Sequence, residues 1–310
     1  MGYFPKIISN IAYEEKILSE EELGFKKELI GCFGDPIWEN PTEIMMEAAF
    51  QHHNMDYRYI TTLVTADNLE AAFEGVKAMG YKGFNCTLPH KVAIINLLDG
   101  LGESAAVMGA VNCVVECDGK YIGENTDGKG YKDSLREIVD PVGKKAVIFG
   151  AGGAARAISV ELALAGATAI IIVNRSTERG QTLVDILNDK TPVSASFVPL
   201  EGDYEVPEGT NIVINSTNIG LYPDTARVPV ALDSLSSSMI ISDVIPNPPK
   251  TRFIQEATEL GCKTIDGLGM LVNQGKIGIR YWSGRDVDGD VMRKSLEDIF
   301  QVHKGKQTCD

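Results

Sequence analysis

The sequence predicts an α/β protein of two domains, and three observations carry that reading. Short apolar runs alternate with helix-like stretches along most of the chain. A glycine-rich turn beginning at Gly150 joins one such run to one such stretch. The chain has 310 residues, more than the usual domain of about 100–200.

The first set of apolar runs, at 28–33, 57–63, 83–85 and 110–116, reads as strands, with helices over 42–52 and 69–79. The second set lies at 145–149, 169–173, 212–215 and 239–244, with a helix over 154–165. Strands alternating with helices imply parallel βαβ units, because a parallel pair needs a crossover and the helix supplies it. The seam between the sets is expected near 127–131. Helical stretches at 270–281 and 292–300 follow the second set and suit packing on either domain. Residues 1–27 form an acidic, helix-prone extension.

Composition excludes several classes of function. The net charge of −14 repels phosphate backbones, so nucleic acid is not an expected partner. No apolar run reaches the about 18 residues of a membrane span, and the Glu-rich N-terminus lacks the apolar stretch of a secretory signal. The six cysteines (Cys32, Cys86, Cys113, Cys117, Cys262 and Cys309) form no C-x-x-C pair. They read as reduced thiols of a cytoplasmic protein, and no metal site is expected.

The turn Gly150-x-Gly152-x-x-Ala155 has the form of a dinucleotide fingerprint between a strand and a helix. Its first glycine permits the tight turn, its second lets a pyrophosphate approach, and its small third residue lets helix and strand pack. Gly150, Ala151, Gly152, Gly153 and Ala154 would line the phosphates, which meet the free N–H groups of a helix starting near Gly153. An NAD site usually has an acid at the end of the next strand. Here that end reads Asn174-Arg175-Ser176, with Arg179 a turn later. These arginines suit a 2′-phosphate, so NADP is the expected cofactor and NAD the alternative. As plain surface residues, the same arginines would be solvated charges.

Four segments, NCTLPHK (85–91), GAVN followed by GENTDGKG (109–130), GAGGAAR with NRSTER (150–179) and DGLGMLVNQG (266–275), together with the loop NSTNIGLYP (215–223), resemble the shikimate/quinate dehydrogenases in the family's own order. The resemblance spans roughly 29–300. It implies an N-terminal α/β substrate domain, a Rossmann domain and an active site between them, with C-terminal helices returning to the substrate domain. Residues 1–127 and 264–310 would form the substrate domain and 128–263 the Rossmann domain.

The implied reaction moves a hydride between NADP(H) and a secondary hydroxyl or ketone of a shikimate-like ring, such as shikimate or quinate, in aromatic amino acid biosynthesis. Lys91 and Asp127 would be the catalytic pair. The chemistry agrees, since alcohol oxidation releases a proton and needs an acid/base group within hydrogen-bond reach. A lysine outside this motif is most often a solvated surface residue. By the same resemblance, Asn112 and Asp127 would bind ring hydroxyls, Gln274 would reach the hydroxyl region, and Thr87 would sit near the carboxylate. Gly267 and Met270 would lie beside the cofactor. Turn or strand-end capping is the bland alternative for Asn85 and Asn112, and core packing for Met270. The acting form would be a monomer or homodimer.

One corner departs from the family. Its turn G-x-P-[IV]-x-H-S-x-S-P carries two serines that hold the substrate carboxylate. Here the turn runs Gly34-Asp35-Pro36-Ile37-Trp38-Glu39-Asn40-Pro41, two residues shorter, with Trp38 and Asn40 where the serines belong. Asn40 also suits a helix N-cap, with Pro41 first and Glu43 closing a capping box. Pro246 stands where the family has a tyrosine. The corner leaves open a shikimate or quinate dehydrogenase with another way of binding the carboxylate. It equally leaves open a dehydrogenase of a different cyclic polyol or amino-substituted ring, whereas a nucleotide-binding regulator without turnover would not need the Lys91–Asp127 pair.

Overall fold

The computed structural model describes residues 26–306. All but the last two residues of the acidic extension read at 1–27 lie outside the described residues, as does Cys309.

Two six-stranded sheets divide the chain. The first holds β1 (Glu28–Gly34), β2 (Tyr57–Leu63), β3 (Gly83–Cys86), β4 (Gly100–Leu101), β5 (Cys113–Cys117) and β6 (Lys120–Glu124), in the order β2-β1-β3-β5-β6-β4. Its helices are α1 (Thr42–His52), α2 (Leu69–Met79), α3 (His90–Ala93) and α4 (Glu103–Met108). The helix α5 (Thr126–Arg136) then leads to the second sheet. There β7 (Lys145–Phe149), β8 (Ala169–Asn174), β9 (Ser194–Pro199), β10 (Ile212–Asn215), β11 (Ile240–Asp243) and β12 (Lys263–Ile265) pair in the order β12-β11-β10-β7-β8-β9. The helices α6 (Gly153–Leu164), α7 (Thr177–Lys190) and α8 (Arg252–Glu259) belong to this half, and α9 (Gly267–Ser283) and α10 (Gly289–Lys306) close the chain.

Every pairing in the second sheet is parallel, as expected of a doubly wound fold. The first sheet is mixed, since β5 runs antiparallel to both β3 and β6. A two-residue turn, Asp118-Gly119 with both φ values positive, makes β5 and β6 a hairpin. The strand expected over 110–116 begins only at Cys113. Val111 N–H instead donates to the Lys91 carbonyl at 2.7 Å and Asn112 N–H to the Glu124 carbonyl at 3.1 Å.

The C-terminal helices return to the first sheet. Leu268, Ile279, Trp282, Met292 and Leu296 share one core with Ile30, Met45, Met46 and Phe50. Trp282 fixes this docking by donating its indole N–H to the Val114 carbonyl at 2.9 Å. Gly83 makes room for it, since a Cβ there would stand 2.3 Å from the indole nitrogen. The helices α5 and α9 cross closely at Gly130, where a Cβ would stand 2.5 Å from the Gln274 nitrogen. The expected seams at 127/128 and 263/264 both cut elements. The first falls in the opening turn of α5, and the second splits β12, whose ladder with β11 places it in the second sheet.

Candidate active site

The cleft between the two sheets has a volume of about 540 Å³. Its floor is built from the carboxyl ends of β1 and β3. Thr87 N–H donates to the Phe33 carbonyl at 2.9 Å, and Gly34 gives the Thr87 side chain its space, since a Cβ there would stand 2.3 Å from Thr87 Cγ2. The one-turn helix α3 then presents Lys91. The neighbouring His90 is buried and ties α3 to the Val64 carbonyl through Nε2 at 2.7 Å. It anchors the turn that carries the lysine.

Opposite stands the first turn of α5, capped by Asn125, whose Oδ1 accepts from Gly128 N–H at 3.4 Å. Lys91 Nζ donates to Asp127 Oδ2 at 2.6 Å. Asn112 Nδ2 donates to Asp127 Oδ1 at 2.8 Å and to Thr126 Oγ1 at 3.1 Å, while Asn112 Oδ1 accepts from Thr126 N–H at 2.7 Å. The Asn112 amide is thus spent on orienting Asp127. Asn85 donates to the Asn112 carbonyl at 3.0 Å and accepts from the Tyr59 hydroxyl at 2.6 Å. Both thus also tie element ends, Asn112 the first N–H of α5 and Asn85 the residue that precedes β5. Gln274 reaches the same wall from α9, 3.4 Å from Thr126 Oγ1.

Burial works against the charged form of Lys91, but the charge of Asp127 and its hydrogen bond outweigh it and hold the ammonium above the ordinary lysine range. The two thiols in the floor are neutral. Burial pushes Cys32 up to about 12 and Cys86 higher still, so neither serves as a nucleophile.

The altered corner forms the far rim. Asn40 Oδ1 accepts from Thr42 N–H at 2.9 Å, which starts α1, and its Nδ2 points at Cys32 Sγ, 3.7 Å away. The expected capping box does not form, because Glu43 turns to the neighbouring strand and accepts from Thr61 N–H at 2.9 Å. Trp38 is 75% exposed, and Trp38, Glu39 and Pro246 all line the cleft.

The dinucleotide turn lies at the carboxyl ends of β7 and β8. Gly150 has φ +110°, and a Cβ there would stand 2.9 Å from Ser216 Oγ, so both conformation and space demand glycine. At Gly152 and Gly153 an added Cβ would meet nothing within 4 Å, which leaves open space over the start of α6. Ala151 and Ala154 flank that space half-buried, and Ala155 packs fully inside. Asn174 Nδ2 donates to the Ser176 carbonyl at 2.9 Å, and Ser176 Oγ caps Arg179 N–H at 3.4 Å. Arg175 and Arg179 are exposed and hold no ion-pair partner among the described residues. This donor set fits a dinucleotide with a phosphate on its ribose. Gly267 is explained by packing, since a Cβ there would stand 2.2 Å from the Ile245 carbonyl oxygen. Met270, half-buried, packs against the core of the second sheet.

The reading from sequence missed Thr126, which joins Asn112 to Gln274, and the anchoring role of His90. Thr126 lay within a quoted motif, but only the fold brings its hydroxyl to α9.

Comparison with known proteins agrees with this layout. Three family models match in succession: the shikimate dehydrogenase substrate binding domain over residues 32–114, shikimate / quinate 5-dehydrogenase over 134–266, and the shikimate 5′-dehydrogenase C-terminal domain over 267–297. A shikimate dehydrogenase (NADP(+)) of Shouchella clausii is 40% identical over 277 residues, covering 88% of this chain and 98% of that protein. The ligand-free 5-ketofructose reductase of Gluconobacter sp. strain CHM43 is 51% identical with a TM-score of 0.88, covering 89% of this chain and 100% of that one. The shikimate 5-dehydrogenase of Listeria monocytogenes, solved with shikimate and NAD, is 34% identical with a TM-score of 0.82, covering 87% and 96%. The α/β fold with a Rossmann half and the expected resemblance both hold, and the chain belongs to the shikimate dehydrogenase family of oxidoreductases.

Proposed function

We propose that this chain is an NADP(H)-dependent oxidoreductase that interconverts a ketone and a secondary alcohol on a neutral, polyhydroxylated substrate the size of a hexose. The charge inventory of the cleft carries this reading. Among the described residues Lys91 is the one cation lining the cleft, and Asp127 already pairs with it at 2.6 Å. A substrate carboxylate would find no free cation and no serine pair, and it would approach Glu39. A neutral polyol meets hydrogen-bonding groups instead, namely the Asn40 amide, the Thr87 hydroxyl and Gln274. The 51% identity to a protein named for 5-ketofructose supports the same substrate class.

The cofactor supplies or accepts the hydride. Lys91, held charged by Asp127, is the group that gives a proton to the developing alkoxide during ketone reduction. Asn112 fixes the Asp127 carboxylate, so donor and counter-ion stay in register. Retention of the Lys91–Asp127 pair argues against a pure regulator, which has no need of it.

Shikimate is the second reading, favoured by the 40% identity to a shikimate dehydrogenase. The test is oxidation of NADPH with 5-ketofructose, compared with reduction of NADP by shikimate and quinate. A kcat/KM for shikimate above that for the ketose overturns the neutral-substrate reading.

We also infer a substrate domain formed by residues up to 127 with those from 266 onward and a Rossmann domain at 128–265, which moves the second seam from 263/264 past β12. The acting form is a cytoplasmic monomer or homodimer that takes small molecules and not nucleic acid. The net charge of −14 and the five free cysteines among the described residues support this, and no helix among them is long and apolar enough to cross a membrane.

A further inference from the structure

At the carboxyl end of β11 sits a carboxylate that the proposed chemistry does not use. Asp243 is 1% exposed, and its hydrogen-bond partners are neutral donors. Its Oδ2 accepts from Thr251 Oγ1 at 2.8 Å and from Asn215 Nδ2 at 3.1 Å, and its Oδ1 accepts from Ile245 N–H at 3.0 Å. Asn215 and Thr251 are themselves buried and lie on different segments.

Each partner shapes a loop. Asn215 begins the loop 216–223, where its Oδ1 accepts from Thr217 N–H at 3.1 Å and its Nδ2 also reaches the Ile219 carbonyl at 3.2 Å. Ile245 and Thr251 bracket the loop 244–251, and Thr251 starts α8. The loops touch each other where Tyr222 N–H donates to the Asn247 carbonyl at 3.0 Å. Pro246 of the second loop lines the substrate cleft. Leu221, Tyr222 and Asn247 line an adjoining groove of about 620 Å³, which shares Trp38, Glu39 and Pro246 with the cleft.

We infer that Asp243 is a positioning residue for the substrate cleft, clamping the loops 216–223 and 244–251 into one wall opposite Trp38 and Glu39. Burial holds its carboxyl up to about 6, so at neutral pH it is the ionised acceptor that all three donors require. The inference rests on the proposed function only for its kinetic arm.

The test compares the whole protein with Asp243→Asn, which sets an amide N–H against other donors, and with Thr251→Val, which removes one donor together with the cap of α8. Hydrogen exchange is followed in both loops, with β1 and α1 as the internal control. In Asp243→Asn both loops should exchange faster by about tenfold, the loss expected for one hydrogen bond to a carboxylate, and in Thr251→Val the loop 244–251 should do so, while the control stays unchanged. With NADPH and 5-ketofructose, KM should rise about tenfold and kcat should stay within about threefold. In Asp243→Asn, faster exchange in 244–251 alone overturns the double clamp, and so does a fall in kcat at constant KM. If the ketose is not reduced, the exchange arm still decides the inference, and only the proposed substrate is refuted.

Discussion

Lys91 and Asp127 meet at 2.6 Å across the cleft, the lysine from a one-turn helix after β3 and the carboxylate from the opening turn of α5. Each is tied down by neighbours, His90 to Val64 on one side and Asn112 to Thr126 on the other. The pair is therefore preorganised, and removing one member should cost chemistry more than binding. Lys91→Ala should lower kcat by at least about 100-fold, with NADPH affinity retained by fluorescence titration. A variant with near-normal kcat would put Lys91 outside the chemistry.

The pH dependence follows from the sign of the Lys91 shift. Its folded value is raised, so the stabilisation by Asp127 is present below the ordinary lysine value and lost as pH rises through the raised one. Ketone reduction takes a proton from the ammonium, so the rate attributable to this group should stay level from neutral into mildly alkaline pH. Alcohol oxidation needs the free amine, so its rate should climb over the same range. Rates in both directions, measured against pH, check this. A Lys91-dependent reduction limb that already falls near neutrality contradicts it.

Arg175 and Arg179 are exposed and have no carboxylate partner among the described residues, so they lose no described ion pair in holding a phosphate. Arg175→Ala should lower kcat/KM for NADPH by about tenfold, with that for NADH nearly unchanged, because one charge-assisted hydrogen bond at an exposed site is worth about that much. Equal losses with both cofactors would assign Arg175 a general role.

Shikimate should bind poorly to the unmodified protein, with a KM raised about 100-fold over an enzyme that holds the carboxylate with two hydroxyls, and with kcat less affected. Glu39→Gln should shift preference toward acids over neutral polyols by about two- to fivefold, a size set by the screening of an exposed charge. An unmoved preference would place this side chain outside the pocket's influence.

Asp243 offers a check by stability. Burial raises its carboxyl from 3.8 to about 6, so the folded state holds the proton more tightly than the unfolded chain. Ionisation therefore costs stability, and this cost appears as pH rises from the ordinary carboxyl value through about 6. Chemical unfolding at several pH values should show Asp243→Asn lacking that slope, which amounts to about 3 kcal/mol at most. Parallel slopes in the two proteins would mean the carboxyl titrates normally.

Much of the fold was legible because periodicity and glycines are local signals. The limits of β2, β7 and β10 and of α1 and α2 follow from their apolar spacing alone. The hairpin of β5 and β6 was missed although Asp118-Gly119 is a strong turn signal, because the alternating pattern of a parallel fold dominated the reading. The edge strands β9 and β12 carry too little continuous apolar sequence to stand out. In the site, Lys91 and Asp127 could be named from their motifs, but the commitment of the Asn112 amide to Asp127 could not. A hydrogen bond between residues brought together by three separate turns has no sequence period.

The return of α9 and α10 to the first sheet has a consequence for how the chain is made. Ile30, Met45 and Phe50 leave the ribosome long before Ile279, Met292 and Leu296, yet their core is complete only with these. The second sheet draws its strands from the continuous stretch between Lys145 and Ile265. It can close during synthesis, while the first half must wait, its apolar face open, until α10 has emerged.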